Sequence, residues 1–414
     1  MLKRTKKIIF LCGGIVIFVI VICLLAFSSK KTENGSKVQH QEKSPNKPIV
    51  PSTEPLDNVP AEREDINSQL TLEERKESKK LTSAEEKTII KSLATQVNID
   101  KEKSYFDYKW GFGMVPGNWE IFDDQDQALY LFTDKGKFFV KINNYSDLSR
   151  FEYEKESMLV INEAVSDFAP RPLCLGNLPN GGKFLVVNFI EARWRDRLLV
   201  ENQKKLAKTL SQLHQKKSPN SKFGFHAGKN NQWKDNWATF FLENRWQPLW
   251  ERFLQKYPHE TEMIKWGEII STQVIPDLLG NLQIEPVLIH GNLDFDSWDI
   301  SSQTNQPWVF DTHSYYGHNE MDLSLMHYYW PPGKIPGVKG PEGEFFETEF
   351  IAEYQKHNPL PPGFEKRKLL YQLYHYLHRN IVISDPNRKW KKKSLNNDEK
   401  IGFKNQNNLA NQEI

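Results

Sequence analysis

Cysteine is scarce in this sequence, and its placement excludes a disulfide-stapled scaffold: Cys12 and Cys23 lie inside one apolar N-terminal run, leaving Cys174 with no available partner. Excess charge of either sign is missing too. With 55 Lys and Arg against 53 Asp and Glu the net charge is +2, which provides neither the basic footprint of a nucleic-acid-binding domain nor an acidic one. Nucleic acid is therefore not an expected partner. Internal repeats are absent, and so are long hydrophobic runs apart from the N-terminal one. Aromatic side chains are plentiful: 12 Trp, 14 Tyr and 25 Phe, most of them after Tyr105, suffice to fill a large core and to line a cleft with rings.

The apolar run covers residues 8–27, the length a helix needs to cross a bilayer, and a basic flank (residues 1–7, with Lys3, Arg4, Lys6 and Lys7) precedes it. A single-pass membrane helix is expected, so that the membrane itself is a partner. A cleaved signal peptide is the competing reading, because Ala26 and Ser28 have cleavage-like spacing, but the run exceeds the usual apolar length of such a leader. The flanking charge puts the N-terminus in the cytoplasm and the rest of the chain on the outer side, with Lys30, Lys31 and Lys37 working against that bias. Residues 28–81 are Lys, Glu, Ser, Asn and Pro with few large apolar side chains, and are expected to form a disordered tether. Residues 387–414 are expected to form a disordered polar tail, with Lys389, Lys391, Lys392 and Lys393 as a solvated charge run.

The remainder reads as one globular domain. Ser83 followed by Glu86 has capping-box spacing ahead of Ile89, Ile90, Leu93 and Val97, so the domain is expected to open with a helix. Two apolar runs, 128–132 and 138–142, flank Thr133 to Lys137 and predict an antiparallel hairpin. Helical spacing follows from Phe151 to Ala164, and Lys183 to Ile190 reads as a buried strand. Helices are then expected over 203–214, 237–253 and 261–279, interrupted late by the short segment 286–293 and a strand over 308–311. The fold class expected is α+β: a small antiparallel-sheet lobe over 82–191 and a mainly helical lobe over 192–386, the order of a two-lobed, protein-kinase-like fold.

Four stretches carry a resemblance: FFVKIN at 138–143; FGF at 223–225 with WATFF at 237–241; VLIHGNL through FDTHSYYGHNEMDL at 287–323; and GFEKRKLLYQLYHYL at 363–377. In these the chain resembles the fructosamine/ketosamine-3-kinases, relatives of the aminoglycoside and choline kinases. The resemblance implies ATP and Mg2+ as cofactors. It also implies that Lys141 grips the nucleotide phosphates and pairs with Glu154, with Glu152 and Glu156 as register alternatives, and that Asn188 to Glu191 form the hinge meeting the adenine. Asp311 matches a magnesium-binding acid, with Gly317 and Asp322 in the segment after it. His290 is expected to be a structural hydrogen-bonding residue, and the ring cluster Trp233, Trp237, Phe240, Phe241, Trp246 and Trp250 to be core, with part of it able to line the acceptor side of the cleft.

The chain departs from the family in its catalytic loop. Active members place an Asp where Asn292 stands, to accept the proton of the substrate hydroxyl, and a magnesium-binding Asn where Ser297 stands. An amide has no useful basicity near neutral pH, and losing a positioned general base costs ~10² to 10⁴ in rate. Asp294 and Asp296 lie in the same loop and either could supply a substitute carboxylate. The turn before the hairpin reads IFDDQDQ at 121–127, where acidic side chains would repel phosphate, and Gly111, Gly113 and Gly117 lie further upstream as a displaced turn. The leading expectation is a membrane-anchored pseudokinase whose cleft binds a nucleotide, a ketoamine or a protein ligand with weak or no phosphoryl transfer. The rival is an active ATP-dependent kinase of a ketoamine hydroxyl, and a third reading is a non-catalytic interaction module.

Overall fold

The structure, a computed structural model, describes residues 80–108, 126–143, 149–193, 196–294, 297–325, 347–378 and 381. The apolar run at 8–27, most of the expected tether, the tail, the residues 109–125 that hold the upstream glycines and most of the acidic turn, and Asp296 lie outside them. Among the described residues no helix is long and apolar enough to cross a membrane.

Helix α1 (Ser83–Ala94) opens the domain, one residue out of the expected capping register. Thr82 is extended and caps the helix, its hydroxyl accepting from the Glu85 amide at 3.3 Å while the Glu85 carboxylate accepts from the Thr82 amide at 2.8 Å. Glu86 is instead taken by the Tyr108 hydroxyl at 2.6 Å, which the linear sequence does not reveal. Strands β1 (Tyr105–Asp107), β2 (Asp126–Thr133), β3 (Gly136–Asn143), β4 (Pro172–Asn177) and β5 (Lys183–Asn188) form one antiparallel sheet in the order β1-β2-β3-β5-β4. Alternation along β3 sends Phe138, Val140 and Ile142 into a core shared with Ile89 and Leu93 of α1, so Lys141 emerges on the opposite face, between Ala128 and Leu185 on the neighbouring strands. Helix α2 (Ser149–Ala164) packs under that face and buries Phe151, Glu154, Met158 and Ile161.

The second lobe is helical. Helix α3 (Val200–Leu213) buries Leu206, Leu210 and Leu213, the stripe its spacing predicts. Two longer helical runs follow, each divided by a π turn: α4 (Trp237–Phe241) passes through Leu242–Trp246 into α5 (Gln247–Lys256), and α6 (Thr261–Ile269) passes through Ile270–Val274 into α7 (Ile275–Leu279). Two short ladders then carry the loops of the cleft: β6 (Val287–Ile289) pairs with β9 (Tyr315–Gly317), and β7 (Trp298–Ile300) pairs with β8 (Pro307–Val309). The strand expected to run to Asp311 ends at Val309, because Asp311 has φ +55, a left-handed conformation that no strand accommodates. Helices α8 (Glu320–Leu325), α9 (Glu347–Gln355) and α10 (Phe364–His378) complete the lobe.

Candidate active site

Lys141 enters the space between the lobes with a carboxylate on each side. It forms an ion pair with Glu154 of α2, and its ammonium lies 2.6 Å from Oδ1 of Asp311 in the second lobe. Burial would lower the Lys141 pKa, but the two carboxylates more than offset it, so the ammonium is held above its ordinary value. Asp311 is the mirror case: burial acts to raise its carboxyl, and the adjacent ammonium holds it below the usual range. Its side chain is still 48% exposed, so an approaching cation can reach it. Of the three glutamates that share the helix register, Glu154 is the one in contact with Lys141. Glu152 is exposed, and Glu156 faces His226 at 3.6 Å.

The loop after β6 is fixed from below by one side chain. Asp322 of α8 accepts the amides of His290 (2.7 Å) and Gly291 (2.9 Å), and its Oδ2 takes Nε2–H of His214 at 3.1 Å. Burial opposes charge on Asp322, but these donors hold its carboxyl below the usual range. His290 is fully buried, with Nε2 donating to the Phe310 carbonyl (3.0 Å) and Nδ1 accepting the Asn292 amide (3.2 Å); these partners set its tautomer, and burial pushes its pKa down to about 4. With both ring nitrogens engaged and the ring neutral, it positions the loop. Gly291 has φ +81, and a Cβ there would lie 2.0 Å from the His313 carbonyl oxygen, so only glycine fits.

Asn292 turns its side-chain amide toward the Asp311 carbonyl, donating at 3.3 Å. Five residues on, the Ser297 hydroxyl donates to Oδ1 of Asp294 at 2.6 Å, and the Ser297 carbonyl accepts the Phe310 amide at 2.9 Å. Residues 292, 294, 297 and 311 thus belong to one corner of the cleft, while Asp296 falls outside the described residues. Asn188 and Glu191 brace the connection between lobes. Asn188 Oδ1 accepts the Arg171 amide at 2.5 Å, and Glu191 accepts both the hydroxyl (3.1 Å) and the amide (2.8 Å) of Ser302, so both side chains are engaged with the protein. Trp237, Phe240, Phe241 and Trp246 are core, no more than 1% exposed, whereas Trp233 stacks on Tyr316 and lines a groove of about 550 Å³ with Glu156 and Glu163, on the side of α2 away from Lys141.

The sequence profile of the fructosamine kinases matches residues 123–397, two thirds of the chain and all of this constellation. The chain belongs to the fructosamine kinase family. A ketosamine-3-kinase of Mus musculus is 29% identical over 279 residues, covering 59% of this chain and 82% of that protein. A chloroplastic protein-ribulosamine 3-kinase of Oryza sativa subsp. indica is 31% identical over 261 residues, covering 61% and 70%. Among solved structures, a putative fructosamine-3-kinase from Haemophilus somnus superposes with TM-score 0.55 at 22% identity over 74% of this chain and 91% of that one. One from Thermobifida fusca gives 0.54 at 15% identity, covering 72% and 93%. These likenesses extend to the fold: antiparallel sheet, helical lobe and cleft between them.

Within that family fold, the donor set in the corner suits a hard divalent cation, because the Asp311 and Asp294 carboxylates and the Ser297 hydroxyl are all oxygen. Among the described residues no three His, Cys, Asp or Glu gather to hold a metal by themselves, so phosphate oxygens or water would complete the shell. Sequence reasoning missed Asp322 as the support of the loop. The available signal was an acid inside α8, whose residues are all buried.

Proposed function

We propose that this protein is a ketosamine-3-kinase-type pseudokinase: it takes up ATP with Mg2+ in the cleft and transfers the phosphoryl group weakly or not at all. One observation carries the reading. Lys141 is held between Glu154 and Asp311, ready to meet phosphate, while the side chain beside Asp311 where a base is required is the amide of Asn292, which donates a hydrogen bond and cannot accept a proton. Mg2+, when bound, would offset phosphate charge. The protein's own contribution is to place a cation, two carboxylates and a preformed loop around the nucleotide. The acceptor side, by analogy with the named activities of the mouse and rice relatives, would receive a ketoamine such as a fructosamine or ribulosamine adduct.

Tethering belongs to the same proposal. Residues 8–27 anchor the chain as a single-pass helix, the N-terminus lies in the cytoplasm and the kinase-like domain on the outer side, where ATP is scarce and turnover would have little fuel. Protease treatment of intact cells tests this, with loss of the domain expected and its full protection counting against the outer placement.

The catalytic reading is tested by calorimetric titration of the full chain in detergent with Mg-ATP, followed by a phosphoryl-transfer assay on fructosamine and ribulosamine acceptors. Binding without transfer is the expected result. Transfer abolished by Asp311→Ala would instead make the protein a working kinase with a rewired loop.

A further inference from the structure

We infer that Asp294 is the catalytic loop's metal ligand, supplying from position 294 the oxygen that the family's loop supplies from the position of Ser297. The inference rests on the nucleotide-binding reading above and names the group that lets binding survive when the loop's Asp and Asn are gone.

The loop geometry brings that carboxylate to the place in question. The Asp294 amide donates to the Asn292 carbonyl at 3.1 Å and the Ser297 amide to the Asp294 carbonyl at 3.2 Å. The Asp294 side chain meets Ser297, whose hydroxyl fixes Oδ1 at 2.6 Å. Ser297 is itself anchored to the strand bearing the second acid: its carbonyl takes the amide of Phe310, the residue immediately before Asp311, and Trp298 pairs with Val309. Asn292 closes the corner from the other side through the Asp311 carbonyl. Asp294 and the partly exposed Asp311 are therefore joined through Ser297 and Phe310, with the Lys141 ammonium paired to Asp311. Mg2+ sites of this kind use one or two carboxylates and complete the octahedron with nucleotide phosphate and water.

Chemistry separates the two jobs of the loop. Ser297 spends its hydroxyl proton on Asp294, which fixes the carboxylate without neutralising it, and replacing a neutral amide ligand by an anionic one strengthens the hold on a hard cation. Asp294 does not occupy the position of the missing base, which is Asn292, so the substitution retains metal and nucleotide without restoring proton removal.

The test uses Mn2+ as a paramagnetic probe with the full chain in detergent, titrated with and without ATP and read by the water-proton relaxation enhancement above that of Mn-ATP alone, which reports metal held on the protein. Asp294→Asn, which keeps the size of the side chain, is expected to weaken Mn2+ uptake in the presence of ATP by about tenfold or more. Adding Ser297→Asn to that variant, which returns the family's amide, is expected to recover part of the loss. Equal thermal melts of the variants establish that the fold is kept. Wild-type uptake in Asp294→Asn, alongside loss in Asp311→Ala, overturns the assignment and leaves the nucleotide-binding reading standing, with Asp294 serving only the turn. Failure of the wild-type protein to take up Mn2+ with ATP overturns both.

Discussion

A cation placed between two carboxylates ties three elements together through a single side chain. Glu154 lies 13 residues from Lys141 in sequence and Asp311 lies 170 away, so removing the ammonium leaves two acids facing each other across the lobes. Lys141→Met is expected to destabilise the protein at pH 7 by about 2 to 3 kcal/mol, less than for a fully buried pair because Asp311 is half exposed. The pH dependence gives the sign. In the wild type the lowered Asp311 pKa contributes stability that is present above the ordinary Asp value near 4 and lost as pH falls through the folded value. The raised Lys141 pKa contributes stability that is lost only above about 10. In the variant the uncompensated acids gain from protonation, so the gap between variant and wild type should narrow from pH 7 to pH 4 in urea melts; a constant gap would show that packing, not charge, sets the loss. Gly291→Ala combines a positive φ with a backbone clash and should cost about 2 kcal/mol or more, exceeding Gly136→Ala, where φ is +109 but nothing stands within 4 Å of the added carbon. Equal melting shifts for the two would remove the clash from the account. Lys141, Asn292 and Asp311 stood out in the sequence through the family resemblance of the short runs that carry them. Asp322 was marked only as part of the same matching segment; its role as the loop's support was hidden, because its partners His290, Gly291 and His214 lie 32, 31 and 108 residues away.

Elements were legible where periodicity had room to speak. The eight residues of β3 alternate cleanly, and α3 repeats its leucines at helical spacing, so both emerge from pattern alone. Three-residue strands such as β6 and β9 carry no measurable period, and pairing with a distant partner defines them. The π turns are equally silent in the sequence, since they shift the register of the long helices without a proline or glycine in either turn. One consequence lies where α5 meets α6. Gly267 faces Trp250, and a Cβ there would come within 1.9 Å of the indole, which stacks between Trp246 and Phe253 at 5.7 and 4.6 Å. Gly267→Ala gains about 1 kcal/mol of helix propensity but must displace that ring, at about 1 to 3 kcal/mol. A lowered denaturation midpoint is expected. A raised one would mean that Trp250 swings out freely and the close approach is incidental.

At the scale of the molecule, packing and charge together set its response to acid. The larger core cluster runs from the helical lobe into α2 and the cleft-side residues Leu185 and Val187, so Glu154 is fixed to the same body as the loop bearing Asp311. Around that core sit buried histidines. His290 is held down to about 4 and His375 to about 3, in both cases first by burial, and His318 is held well below its ordinary value for the same reason. Because the unfolded chain binds protons on these imidazoles near pH 6.5 and the folded one does not, their contribution is complete above 6.5 and declines steadily toward 4. His290 alone corresponds to about 3 kcal/mol over that range, a large part of the 5 to 15 kcal/mol typical of a domain. Asp299 opposes it: burial pushes its carboxyl up to about 6, so the folded state gains a proton early and recovers part of the loss. Asp311 and Asp322 have lowered carboxyls and contribute no slope until pH falls below about 4. The window from 6.5 to 4 therefore reports the balance of these histidines, with the lowered His313 and His378 on the same side, against Asp299 and Glu320, whose carboxyl burial also raises. Urea midpoints are expected to fall between pH 7 and pH 5, less in His375→Gln and more in Asp299→Asn. A flat midpoint across that interval in both the wild type and Asp299→Asn would require the imidazoles to reach solvent, and with it a helical lobe more open than its packing allows.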